Sequence, residues 1–257
     1  MIIELSMGLV LALFLVAILA GWVDTLAGGG GLLALPALLL AGVPPVNALA
    51  TNKSQGVIGT LTSTLTLFLK GHLRGRDLIP MALMAGLGSA LGTLLVQRVS
   101  TDWLAWFIPL VLILVALYFW MTPNLGEVAS KGRMGEKLWG ATMAPLIGFY
   151  DGVFGPGTGS FYAASGVAFR GQTLLDATIR AKLFNFTTNV VSLALFTAGG
   201  QVVWAIGVFM MVGQVIGAFI GSHSILRGGS RLIRPVVIIM CVLMSLSQVL
   251  QQIGWWF

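Results

Sequence analysis

The chain has 257 residues, 57% of them hydrophobic and 9% charged, with a mean hydropathy of +0.97. A soluble domain carries roughly 25% charged residues, so this composition excludes an ordinary soluble protein and points to an integral membrane protein. The net charge of +6 makes no case for nucleic acid, because the basic residues fall in short connections between apolar runs, where they mark a cytoplasmic face.

Apolar segments fall at 5–27, 32–42, 48–69, 77–98 and 102–121, and a second set at 138–154, 160–169, 174–198, 201–226 and 232–253. They are continuous runs, not short alternating ones, so helices are expected and a barrel is not. The stretch before residue 20 lacks a basic start and an A-x-A site, and reads as a retained membrane segment, not a signal peptide. In each set the second segment is too short to cross about 30 Å of hydrocarbon. Between the sets lies the longest polar connection, "TPNLGEVASKGRMGEK" at 122–137. The expected organisation is membrane repeat 1 (1–121), a cytoplasmic connecting loop (122–137) and membrane repeat 2 (138–257), forming one integrated transmembrane domain.

Single residues support an internal repeat. At an offset of 129, Ala48, Lys53, Ser63, Gly71, Met81, Gly88, Gly92 and Arg98 match Ala177, Lys182, Ser192, Gly200, Met210, Gly217, Gly221 and Arg227. At an offset of 127, Gly21, Asp24, Gly28 and Gly30 match Gly148, Asp151, Gly155 and Gly157. The basic connections carry Lys70, Arg74 and Arg76, then Lys131, Arg133 and Lys137, then Arg227, Arg231 and Arg234. Placing these in the cytoplasm puts 43–47, 99–101 and 199–200 outside, both termini outside and Arg170 inside; Arg98 alone sits against the rule. The two halves then run in opposite senses, as in many secondary transporters. The fold expected is an all-α, polytopic membrane protein of two inverted-topology repeats, each a broken, re-entrant hairpin plus three spanning helices.

The breaks read "VDTLAGGGGLLALP" and "YDGVFGPGTGSFYA". Each sets an aspartate before a glycine-rich interruption and a short apolar helix after it. A helix N-terminus exposes unpaired N–H groups and about half a positive charge, and glycine lets a ligand approach them. Gly28, Gly29, Gly30 and Gly31 in one half, and Gly155, Gly157, Thr158 and Gly159 in the other, are therefore candidates to hold a small anion. The competing reading is that the glycines only permit close packing and a tight turn. Lys53 and Lys182 each lie about five residues into the following helix; an intramembrane charge is costly and functional by default, although snorkelling to the surface would also account for it. Asn52 and Asn185, beside the lysines, add hydrogen-bonding capacity, as do Thr51, Ser54, Gln55, Thr187, Thr188 and Asn189. Asp24 and Asp151 have three open roles: proton uptake, pairing with the lysines, or capping the broken backbone. Arg180 reads as a snorkelling or gating charge. The glycines of "GLGSALG" and "GQVIGAFIG" read as packing faces, within one protomer or in a homodimer. Trp255, Trp256 and Phe257 read as an interfacial anchor.

Enzyme signatures are missing from the sequence: there is no HExxH, P-loop or Ser-His-Asp order, and "GGGGLL" is not GxGxxG. No metal and no cofactor is expected, since Cys241 is the lone cysteine and His72 and His223 lie far apart. The residues in "GWVDTLAGGGGLLALPALLLAGVPPVNALATNK", "GFYDGVFGPGTGSFY" and "ATIRAKLFN" resemble the TauE/SafE sulfite-exporter family of membrane permeases over nearly the whole chain. The resemblance implies a multi-pass inner-membrane secondary transporter that exports sulfite or organosulfonates, with Lys53 and Lys182 as its helix lysines. A passive anion channel of the same fold is the alternative, and protons or sodium are the candidate coupling ions.

Overall fold

The computed structural model describes residues 7–73, 78–98 and 129–252, together with positions 113, 117, 120 and 121. Most of the expected segment 102–121, Arg74, Arg76 and the terminal Trp255, Trp256 and Phe257 lie outside the described residues. The regular structure among the described residues is helical. In chain order come α1 (Met7–Ala27), α2 (Gly31–Leu40), α3 (Pro45–Leu69), α4 (Leu78–Val96), α5 (Glu136–Val153), α6 (Thr158–Arg170), α7 (Leu174–Ala198) and α8 (Trp204–Gln252).

Local chemistry explains the ends. The chain leaves α1 through Gly28 at φ +67°, and enters α6 through Gly155 and Gly157 at φ +94° and +81°. These left-handed conformations strain any residue with a Cβ. Pro44 and Pro45 open α3, where the missing N–H costs nothing. Thr173 caps α7 by accepting from Asp176 N at 3.0 Å, and its own hydroxyl donates to the Asp176 carboxylate at 2.7 Å.

The expected segments 201–226 and 232–253 form one helical stretch, α8, of 49 residues. Where a turn is expected at "RGGSR", the helix continues with locally irregular geometry. A Cβ on Gly228 would sit 2.7 Å from the Leu232 Cβ, far closer than the roughly 5–6 Å between side chains four apart on a regular helix. Gly and Ser clusters are common bend points because they leave the turn least crowded.

α3 and α7 are the inner helices: they pack on each other, α3 also on α8 and α7 also on α4, while α1 lies along α8 and α4 along α5. The outer pairs meet backbone to backbone. A Cβ on Gly88 would overlap the Pro145 carbonyl and one on Gly92 the Phe149 carbonyl; likewise Gly217 lies against the Ile18 carbonyl and Gly221 against that of Trp22. Between α4 and α7, Ser192 bonds Ser89 at 2.7 Å and accepts from Thr93 at 2.8 Å.

Among the described residues, three stretches are long and apolar enough to cross a bilayer: Met7–Ala27, Leu78–Val96 and Trp204–Gly228. Their outward faces are greasy at helical spacing, with Leu11, Leu15 and Leu19 exposed on α1 and Ile79, Leu83, Leu87 and Leu91 on α4. Such faces are stable only against lipid or another apolar surface. α3 and α7, at 25 residues each, are long enough but carry their polar residues inward.

Candidate functional site

The two glycine breaks meet at the centre. Gly159 N donates to Gly28 O at 3.3 Å, the Ser160 hydroxyl donates to Ala27 O, and a Cβ on either Gly28 or Gly159 would overlap the other's main chain. Closing the last turn of α1, Gly28 N donates to Asp24 O at 2.6 Å.

The lysines do not snorkel. Lys53 is 1% exposed and Lys182 0%, so both ammonium groups need partners inside the protein. Each finds one in the opposite half. Lys53 Nζ lies 2.8 Å from Asp151 Oδ2, and Lys182 Nζ donates to the main-chain oxygen of Asp24. The aspartates thus divide the roles expected of them. Asp151 pairs with a lysine and accepts from the Thr158 hydroxyl at 2.7 Å; Asp24 caps the broken backbone, its Oδ1 accepting from Gly30 N at 3.1 Å.

Between the breaks and the inner helices is a cavity of about 20 Å³, lined by Asp24, Gly28, Gly31, Asn52, Lys53, Gly56, Gly155, Asn185, Asn189 and Gln214. Of the residues expected at a site, Asp24, Gly28, Gly31, Asn52, Lys53, Gly155 and Asn185 are brought together here. Gly29, Gly30, Gly157, Thr158, Gly159, Lys182 and Asp151 are not among its lining. Several of these are engaged elsewhere: the Gly30 amide on Asp24, the Gly159 amide on Gly28, the Thr158 hydroxyl on Asp151 and Gly155 O, and Lys182 on Asp24 O. The amides nearest the lysines are partly paired among themselves, Gln55 Nε2 donating to Asn52 Oδ1 at 3.0 Å and Asn189 Nδ2 to Asn185 Oδ1 at 3.2 Å. Gly56 and Gln214 escaped the sequence reading. Gln214 had a signal: it is the polar side chain inside the small-residue stripe "GQVIGAFIG".

A second charged cluster lies at one end of the hairpin. Arg170 closes on Glu136 and stacks over Trp139 at 5.2 Å, while Arg180 Nη1 lies 3.7 Å from the same carboxylate. Burial draws the Arg170 guanidinium below its ordinary range; Glu136 pushes it back up and Arg180 down. It stays charged throughout. Arg180, 33% exposed, shares the Glu136 carboxylate with Arg170. Among the described residues no group of three or more His, Cys, Asp or Glu side chains is placed to hold a metal ion.

Comparison with known proteins places the chain in a family. The family model described as "Sulfite exporter TauE/SafE" matches residues 13–247. The chain is 45% identical over 233 residues to "Probable membrane transporter protein YfcA" of Escherichia coli (strain K12), covering 91% of this chain and 87% of the relative. It is 41% identical over 252 residues to "Probable membrane transporter protein" of Haemophilus influenzae, with 98% of each chain covered. It is also 41% identical over 243 residues to "Probable membrane transporter protein ORF9" of a Sinorhizobium species, with 95% and 93% covered. No solved structure matches. The chain belongs to the TauE/SafE family and is a membrane transporter, not an enzyme.

Proposed function

We propose that the protein is a multi-pass inner-membrane carrier that exports small sulfur-containing anions, such as sulfite or organosulfonates, by alternating access between two inverted repeats. The observation that carries this reading is the reciprocal crossing of buried charge. The lysine of each half meets the aspartate region of the other, at two glycine breaks that touch, beside one polar cavity. Packing supports a two-fold relation between the halves: Gly88 on Pro145 and Gly217 on Ile18 are one contact written twice under the two sequence offsets.

In this reading the substrate's oxyanion competes with Asp151 for the Lys53 ammonium, and Asn52, Asn185 and the backbone at Gly31 and Gly155 complete its hydrogen bonds. Lys182 acts from behind, through the Asp24 main chain. A cavity of about 20 Å³ has room for about one water. An anion of four or more heavy atoms therefore needs the halves to part on one side, which supports a carrier over an open channel.

The test is transport in liposomes. Sulfite or sulfonate uptake should saturate, accelerate when the opposite side is preloaded, and fall to background in Lys53→Ala or Lys182→Ala proteins that still purify as folded material. Undiminished transport in both variants would remove the lysines from the mechanism. Flux that neither saturates nor trans-accelerates would make the protein a channel.

A further inference from the structure

Two side-chain acceptors at the cavity have no donor within the protein. Asp24 and Gln214 both line it, are 7% and 2% exposed, and each carries a buried side-chain oxygen, Asp24 Oδ2 and Gln214 Oε1, without a hydrogen-bond partner. Leaving such an oxygen unpaired is costly, and more so when it is charged.

Packing is the simplest explanation for Gln214, and the other half removes it. On α8 the close helix contact is made by the Gln214 main-chain oxygen, which a Cβ on Gly21 would approach to 2.6 Å. On α4 the main-chain oxygen of Ala85 serves Gly148 in the same way. An alanine is therefore enough for that contact, and the Gln214 amide is surplus to it. Space is even cleared for the side chain: a Cβ on Gly59 would lie 2.5 Å from Gln214 Cγ and 2.7 Å from its Nε2.

Several donors nearby are engaged, while the amide groups of Asn52 and Asn185 are left for the substrate's oxyanion. Lys53 is on Asp151, Lys182 is on the Asp24 main chain, and Gln55 and Asn189 donate to Asn52 and Asn185. An anion that presents only oxygens would set oxygen against oxygen at Asp24 and Gln214. An ammonium group has protons for both acceptors and a hydroxyl for one of them, while the anionic end faces Lys53.

We propose that Asp24 Oδ2 and Gln214 Oε1 form an acceptor subsite that selects sulfur anions bearing a hydrogen-bond donor, a hydroxyl or an ammonium group, over donor-free anions of the same size. This rests on the anion-carrier reading above and narrows its substrate class. The reason for discrimination is general: a site built to bond a polar group rejects an apolar isostere because its own buried groups are then left unpaired.

Three probes of equal heavy-atom count test it: 2-hydroxyethanesulfonate, 2-aminoethanesulfonate and propane-1-sulfonate, each titrated against the purified full chain by tryptophan fluorescence. At least one donor-bearing probe should bind about tenfold or more tightly than propane-1-sulfonate. In Gln214→Leu that preference should shrink to about twofold or less, and in Asp24→Asn the ammonium probe should lose more than the hydroxyl probe. Gln214→Met serves if the leucine variant fails to fold, and the wild-type comparison stands without either. Equal binding of all three probes by wild type overturns the subsite and leaves the carrier reading intact. So does a preference unchanged in the Gln214 variant. No binding of any probe refutes the sulfonate reading itself, and the subsite falls with it.

Discussion

Replacing Lys53 by methionine should leave the Asp151 carboxylate buried with the Thr158 hydroxyl as its remaining donor. At 2.8 Å and an effective dielectric of about 20, the lost attraction is about 6 kcal/mol. The desolvation cost of two buried ions offsets most of this, so the pair contributes little net stability against an apolar substitute of similar volume. Removing one partner alone is different: Lys53→Met, or Asp151→Asn with Lys53 intact, should each destabilise by about 3–5 kcal/mol. The double variant should recover most of that loss, giving a coupling energy of about 3 kcal/mol or more in the four-member cycle. Reversible unfolding in mixed micelles, followed by tryptophan fluorescence, reads all four stabilities. If the two single losses simply add in the double variant, the ion pair is not the interaction that holds these helices in register.

Gly88→Ala and Gly217→Ala should both reduce the yield of monodisperse protein sharply in size-exclusion chromatography, because a Cβ at either site overlaps a main-chain carbonyl. Gly135→Ala, whose Cβ would meet nothing within 4 Å, should behave like wild type. Ser192→Ala should cost about 1 kcal/mol in the same unfolding assay, since Ser89 keeps the Thr188 carbonyl and Thr93 the Gly152 carbonyl as partners.

The helices and the interruptions were readable in the sequence because their causes are local. A run of apolar residues, four consecutive glycines or a Pro at the start of α3 acts within a turn or two of chain. The lysines and aspartates were readable as exceptional, because a charge in such surroundings needs a reason. Their partners were not. The repeat offsets match Asp24 with Asp151 and Lys53 with Lys182, yet they carry no information on how the halves face each other. So the crossing of Lys53 to Asp151 and the division of labour between the aspartates came only with the tertiary structure. Gln214 was hidden for a related reason: its meaning lies in the contrast with Ala85, and a single strong polar residue in a glycine stripe reads first as packing. The stretch "RGGSR" reads as a turn because helix period and loop composition compete there, and in the structure the helix continues through it.

The meeting of Gly28 and Gly159 has a mechanical consequence. Two main chains in direct contact, joined by the Gly159 amide and the Ser160 hydroxyl, cannot slide past each other without severing those bonds, but they can turn about the point where they touch. In the alternating-access mechanism proposed above, this contact would be the fulcrum and the helices that end on it the levers. α1 has 21 residues and is about 30 Å long, so a rotation of about 10° at Gly28 carries its far end about 5 Å. Under the proposed carrier mechanism, a tilt that leaves every atom of the fulcrum nearly still would thus be large enough at the membrane surface to open or shut a passage the width of a small anion.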